Sequence, residues 1–132
     1  MVRSILAVMA GVLVGGIVNM GIVMVGPMIV PLPAGADMTT AEGITAAMPM
    51  LEAKHFIAPF LAHALGSLTG AAVAALISIS HKFAVAMIVG VITLVGGILA
   101  ATMIPAPIWF IALDLIVAYL PMAWIGWKLA AR

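Results

Sequence analysis

Four long apolar stretches dominate this sequence and constrain what it can fold into. They cover about residues 4–26, 56–80, 83–104 and 108–129. The hydrocarbon core of a bilayer is about 30 Å thick, and a helix needs about 20 apolar residues to cross it. Proline lies near several of the boundaries, where it tends to end helices. The sequence therefore predicts an all-α membrane protein, a four-transmembrane-helix bundle that forms one domain over residues 1–132.

The composition excludes most soluble functions. Of the 132 residues, 67% are hydrophobic and only 7% are charged, whereas a soluble domain carries about 25% charged residues. Such a chain cannot cover a globule with polar side chains, so we expect the lipid bilayer to be its solvent. The formal net charge of +1 gives no basic excess for a nucleic-acid partner. Because the chain lacks cysteine, disulfides, thiolate metal sites and cysteine nucleophiles are excluded.

The first apolar stretch has an alternative interpretation as a secretory signal peptide. Arg3 precedes the stretch, and residues 34–36, Ala-Gly-Ala, resemble a cleavage site. The apolar core of a signal peptide spans only about 7–15 residues. Because the apolar run from Ile5 to Val30 is longer, we expect it to stay in the protein as the first transmembrane helix.

The distribution of charge predicts the orientation in the membrane. Basic residues are enriched in cytoplasmic loops. Of the five basic residues, only Lys54 falls on one side of the four spans, and the others all fall on the opposite side: Arg3, Lys82, Lys128 and Arg132. We predict a multi-pass protein of the cell inner (plasma) membrane, with both termini cytoplasmic and the loop of residues 27–55 outside.

The outer loop contains one local helix signal. Thr39 and Glu42 have the spacing of a capping box, in which the threonine hydroxyl accepts from the glutamate amide and the glutamate carboxylate reaches back. We expect a short helix over about residues 40–47 that lies at the membrane interface and ends before Pro49.

Small residues predict where the helices pack. Lipid gives apolar helices no hydrophobic reason to associate, so their contacts depend on close backbone approach at small residues. Gly11 and Gly15 are four residues apart in the first span, Gly66 and Gly70 are four apart in the second, and Gly97 lies in the third. We expect these glycines at helix–helix contacts. We also expect such stripes to build a homo-oligomer or to bind partner membrane subunits.

Three strongly polar side chains fall well inside the predicted spans: Asn19, His63 and Asp114. At about 1.5 Å rise per residue, each lies roughly 10 Å below the outer end of its helix. Each also lies within about 40° of a small residue on the same helix, which directs it toward protein. A carboxylate inside a membrane is costly and needs a partner, for which His63 is best placed. We therefore predict an ion, proton or solute site formed by these three residues.

Further polar residues are assigned to the entrance of this site: Glu52, His55 and Tyr119. Glu52 and His55 have the Glu-x-x-His spacing of di-metal helix bundles, but the additional glutamates of such sites are missing. Met48 and Met50 in the loop would suit Cu(I), yet methionine is also an ordinary filler of apolar gaps. We predict no cofactor, no metal and no catalytic set.

The leading functional hypothesis is a proton-coupled or small-solute transporter or channel that uses the His63–Asp114 pair. A coupled pair of this kind can hold or pass one proton near neutral pH. The alternative is an accessory or scaffold subunit of a larger membrane complex, in which the polar cluster only fixes the register of the helices. An enzyme is less favoured because no nucleophile–base pair is visible.

Overall fold

A computed structural model describes all 132 residues and contains helices but no strands. The α-helices, in chain order, are α1 (Val2–Ile29), α2 (Ala41–Ala47), α3 (Ile57–Ile77), α4 (Lys82–Met103), α5 (Ile108–Val117) and α6 (Leu120–Ala130). Short 3-10 helices at Met48–Met50 and Ala53–Phe56 precede α3. Four helical segments are long and apolar enough to span a membrane: Val2–Ile29, Ala53–Ile77, Lys82–Met103 and Ile108–Ala130. The predicted all-helical fold with four such segments is confirmed.

The first three long helices end within three residues of their predicted bounds. α1 continues past Pro27 to Ile29, and the Val30 N–H still donates to the Gly26 carbonyl at 2.9 Å. α3 ends earlier than predicted, where Ser78 becomes extended at φ −73° and ψ 131°. The Ser78 hydroxyl then donates to the carbonyl of Ser80, which closes the turn toward α4.

The fourth segment consists of two helices, which corrects the prediction of one continuous helix over residues 108–129. α5 ends at Val117 and α6 begins at Leu120, with Tyr119 between them at φ −113° and ψ −81°. Pro121 explains the break. It has no N–H to donate to the Val117 carbonyl, and in a regular helix its ring would clash with that carbonyl.

Helix α3 occupies the centre of the bundle and packs against α1, α4 and α6. The contact between α3 and α1 is formed by glycine residues. A Cβ atom on Gly15 would lie 2.6 Å from the Gly66 carbonyl oxygen, and one on Gly11 would lie 2.5 Å from the Gly70 carbonyl oxygen. Because no side chain fits at these positions, the two helices meet backbone to backbone, the close approach that small residues permit in membranes.

On its opposite side α3 meets α4 and α6 through alanine. Four alanines form a fully buried cluster there: Ala71, Ala75, Ala86 and Ala123. Gly126 of α6 lies directly against the Leu68 carbonyl of α3. These small side chains allow three helices to approach closely, and many dispersion contacts then replace the hydrophobic drive that lipid does not provide.

Two contacts show which helix ends lie together. The Arg3 Nε–H donates to the Ile77 carbonyl at 2.8 Å, which joins the start of α1 to the end of α3. The rings of Phe83 and Trp127 lie 5.0 Å apart, which joins the start of α4 to the end of α6. This end of the bundle, called the basic end below, therefore carries Arg3, Lys82, Lys128 and Arg132.

The loop that joins α1 to α3 contains the short helix α2, but its cap lies one residue later than predicted. The Thr40 hydroxyl accepts from the Gly43 N–H at 3.0 Å, whereas the prediction paired Thr39 with Glu42. The carboxylate of Asp37 instead accepts from both the hydroxyl and the N–H of Thr39. These hydrogen bonds lower the pKa of Asp37. Their stabilisation is present above the ordinary aspartate pKa and is lost as the pH falls through the lowered value.

The glycine contact between α1 and α3 yields a matched pair of variants. Gly15→Ala places a methyl group against the Gly66 carbonyl and should cost about 1–3 kcal/mol through forced separation of the helices. Gly16→Ala faces open space and should leave stability unchanged or raise it by up to about 1 kcal/mol. Thermal unfolding in detergent, followed by circular dichroism, measures both. Equal melting temperatures for the two variants would contradict the backbone-to-backbone contact.

Candidate functional site

His63 of α3 and Asp114 of α5 form a close pair inside the bundle. The His63 Nδ1 lies 2.8 Å from Oδ1 and 2.9 Å from Oδ2 of Asp114. Asp114 is 5% exposed. Since an ionised carboxylate only accepts hydrogen bonds, the imidazole donates its Nδ1–H to both oxygens. The pairing gives the buried carboxylate the partner that its position in an apolar helix requires.

Tyr119 completes this cluster. Its hydroxyl donates to Asp114 Oδ2 at 2.9 Å, and its ring stacks on the His63 ring with centroids 5.6 Å apart. Gly97 of α4 makes room for the tyrosine, because a Cβ atom there would overlap the phenol ring. Tyr119 is only 3% exposed, so its predicted assignment to the entrance is corrected.

The helix break brings Tyr119 to Asp114. Residues five positions apart point about 140° apart around a regular α-helix, so in a continuous helix the two side chains would face different neighbours. The non-helical backbone at Tyr119 turns its ring back toward α5. Pro121, which causes the break, is the sequence signal that would have identified Tyr119 as a member of the cluster.

The cluster leaves one imidazole nitrogen unused. Asp114 accepts from His63 and from Tyr119, and the Nε2 of His63 has no hydrogen-bond partner within the protein. The His63 side chain is 27% exposed. In this tautomer Nε2 carries a lone pair, so it can take up a proton or accept a hydrogen bond from a bound molecule.

A cavity of about 350 Å³ reaches this pair. It is bounded by the C-terminal part of α1, the start of α3, the end of α4, most of α5 and the long loop with α2. His63 and Asp114 lie at one end of it, and the exposed residues Lys54 and Met38 line the other. Of its 24 lining residues, 16 are hydrophobic, so the buried pair lines a mostly apolar chamber whose wall includes residues of the loop.

The predicted entrance residues Glu52 and His55 lie at the loop end of the bundle, and His55 lines the cavity. The His55 Nδ1 accepts from the Glu52 N–H at 2.8 Å, and its Nε2 lies 3.2 Å from the Pro31 carbonyl. Both ring nitrogens are therefore engaged in holding the loop against the start of α3. Glu52 is exposed, with its carboxylate 3.9 Å from Lys54 Nζ. No group of three histidine, aspartate or glutamate side chains is placed to hold a metal ion.

Asn19 is not part of the cluster. It lies on α1 opposite Gly66, where a Cβ atom would be 3.2 Å from the Cβ of Asn19. Its Oδ1 is buried without a hydrogen-bond partner, and it neither bonds to His63 or Asp114 nor lines the cavity. The structure thus brings together two of the three predicted site residues. The predicted depth and facing correctly directed Asn19 toward protein. They did not show which neighbouring residue it contacts.

A second buried polar contact lies one turn further along α3 and was not predicted. The hydroxyl of Ser67, which is 1% exposed, donates to Thr93 Oγ1 of α4 at 3.1 Å. Ser67 follows His63 by four positions, so the two residues share a face of α3. The four-residue spacing from His63 was the sequence signal from which this contact could have been predicted.

Fold and site together define an all-helical protein with four helices long and apolar enough to span a membrane, and with a polar cluster at the inner end of an apolar cavity. No protein-family model, curated protein or solved structure matches the chain.

The cluster makes a specific prediction about Tyr119. Tyr119→Phe keeps the ring against Gly97 but removes a donor from a buried carboxylate, which should cost about 1.5–3 kcal/mol. Thr102→Val is the matched control, because its exposed hydroxyl bonds only to the Leu99 carbonyl of its own helix, and we expect a change below about 0.5 kcal/mol. Unfolding followed by tryptophan fluorescence measures both. A Tyr119→Phe protein as stable as the control variant would show that the phenol hydroxyl does not stabilise Asp114.

Proposed function

We propose that this protein is a small proton-coupled transporter whose proton site is the His63–Asp114 pair. The observation that carries the proposal is that His63 and Asp114 line a cavity that is also lined by Lys54 and Met38, which are exposed residues of the loop segment. A buried cluster that only fixed helix register would need no access from the surface. Ionisable residues inside membrane segments commonly mark ion or proton pathways.

The pair can exist in two charge states. With a neutral imidazole, the ionised carboxylate gives the pair a charge of −1, and with a proton on Nε2 the pair becomes neutral. In the structure Tyr119 donates to the same carboxylate. Because Nε2 is the unbonded nitrogen and His63 lines the cavity, proton exchange can take place from the cavity.

The break between α5 and α6 suits a transporter. Interrupted helices recur at the substrate and ion sites of secondary transporters, where the helix ends and the unwound backbone contact the bound groups. Here the break lies beside Asp114, and Tyr119 connects the two half-helices to the carboxylate. A change of the proton state at His63 would therefore take place next to the break between α5 and α6.

The charge distribution supports an orientation. The basic end carries four basic residues, while the loop end carries Lys54 and three carboxylates. By the enrichment of basic residues in cytoplasmic segments, we propose that both termini face the cytoplasm, that the protein resides in the plasma membrane and that the cavity opens to the outside.

Flux measurements in proteoliposomes test the proposal. The vesicles contain a trapped pH-sensitive dye and receive an imposed pH gradient, alone and with a panel of small cationic, anionic and neutral solutes. We expect the wild type to accelerate collapse of the gradient at least tenfold over empty vesicles with at least one solute. Asp114→Asn should return the rate to that of empty vesicles, because the amide cannot neutralise a protonated imidazole. Asp37→Asn, which removes an exposed loop carboxylate, should retain the wild-type rate.

The same experiment separates transport from the alternative function. A wild type that conducts nothing under any gradient, although folded, would overturn the transport proposal and favour an accessory subunit of a larger complex. In that case purification in mild detergent should recover a partner chain in fixed proportion. Recovery of the chain alone would count against the accessory subunit as well.

A further inference from the structure

The cavity restricts the chemistry of the ligand that it can bind. The inference drawn from this restriction rests on the proposed function. We infer that the transported solute is an apolar molecule with one positive charge, such as an arylalkyl ammonium ion, and that it exchanges with the proton of His63.

The lining of the cavity favours a ligand that is mostly apolar. Along the cavity between the loop and the pair, the wall is formed mainly by aliphatic and aromatic side chains, among them Val23, Leu51, Phe56, Phe110, Ile111 and Leu115. Its volume of about 350 Å³ is in the range of pockets for small organic molecules. Phe56 and Phe110 lie with ring centroids 4.8 Å apart, and aromatic rings attract both apolar groups and organic cations.

The His63–Asp114 pair determines which ligand charge is favoured. In an apolar cavity an uncompensated charge is costly, so states in which the site is neutral overall are favoured. A proton on His63 gives one such state. A monovalent cation beside the unprotonated pair gives the other, with an ammonium N–H that donates to the lone pair of Nε2. Proton and cation therefore compete for one site, since both together would leave a net charge of +1.

Other ligand charges fit less well. The carboxylate of Asp114 already accepts from His63 and Tyr119, so Nε2 is the contact offered to a ligand. An anion would leave the site at −1 even with a protonated imidazole. A neutral alcohol does not change the charge of the site, and its binding would not compete with the proton.

The surroundings of the cavity favour the approach of cations. The loop segment carries three carboxylates, Asp37, Glu42 and Glu52, against the single ammonium of Lys54, a net charge of −2. None of these carboxylates lines the cavity, whereas Lys54 does, so the excess raises the concentration of cations around the loop as a whole.

The groups that face His63 are few. Asp114 and Tyr119 contact its ring, and the other titratable groups that line the same cavity are Lys54 and His55 at the mouth. The ring nitrogens of His55 are engaged by the Glu52 N–H and the Pro31 carbonyl. Within the cavity, His63 thus holds the only imidazole nitrogen without a partner in the protein.

Three probes of nearly equal size test the inference: 2-phenylethylamine, 2-phenylethanol and 3-phenylpropionate. Isothermal titration calorimetry with the full chain in lipid nanodiscs gives their affinities at pH 6 and pH 8, with empty nanodiscs as the blank. At pH 8 we expect the ammonium ion to bind at least tenfold more tightly than the alcohol or the carboxylate. Its affinity should fall at least tenfold at pH 6, because competition with one proton weakens binding up to about tenfold per pH unit. Equal affinities, tighter binding of the carboxylate, or no effect of pH would overturn the inference.

Three variants locate the effect. Asp114→Asn should abolish binding of 2-phenylethylamine, whereas Asp37→Asn, which also removes one carboxylate, should weaken it less than threefold. Equal losses would mean that diffuse charge, not a site, attracts the cation. His63→Asn keeps a donor near the position of Nδ1 but cannot take up a proton. It should still bind the ammonium ion with an affinity that no longer changes between pH 6 and pH 8, and a retained pH dependence would overturn the exchange at His63.

The failures of the two proposals can be told apart. If 2-phenylethylamine binds as expected but the proteoliposomes show no proton-coupled flux, transport is overturned and the cation site stands. If the wild type conducts with some solute but binds the ammonium ion no better than the alcohol, the cation inference is overturned and proton-coupled transport stands.

Discussion

The buried carboxylate of Asp114 is the constraint on which the rest of the site depends. A charge removed from water must be both paired and hydrogen-bonded, since either alone leaves part of its hydration uncompensated. The structure meets this requirement with donors from two directions, the imidazole of His63 on α3 and the phenol of Tyr119 beyond the end of α5. Asp114 thereby fixes the position of α5 against the central helix.

The need for two donors to the Asp114 carboxylate is reflected in the backbone around this residue. Tyr119 reaches Asp114 because the fourth segment breaks ahead of Pro121, and its ring fits because α4 has a glycine at position 97. An interrupted helix gives up main-chain hydrogen bonds, which is costly in lipid unless the freed groups are buried in protein or face a cavity. The break lies next to the buried cluster, where neighbouring helices surround it.

The two ends of the bundle differ in packing. Toward the basic end, the helices meet through glycine and alanine with no space between them, at Gly11 and Gly70 and in the alanine cluster around Ala75. Toward the loop end, the same helices separate around the cavity. In the proposed transport cycle this arrangement is the state open at the loop end. The opposite state would require the small-residue contacts near the basic end to part, together with the ring contact of Phe83 and Trp127.

The sequence by itself determined the all-helical fold, the four long apolar segments and the partnership of His63 with Asp114, because hydrophobic length and the cost of a lone carboxylate in lipid depend on composition and position alone. It did not show which neighbours Asn19 and Tyr119 contact. Periodicity gives the depth and facing of a side chain, but which neighbour it meets depends on how the helices are arranged around one another. Tertiary structure also decided the cavity, since its walls come from α1, α3, α4, α5 and the loop, and empty space between helices leaves no pattern in any one of them.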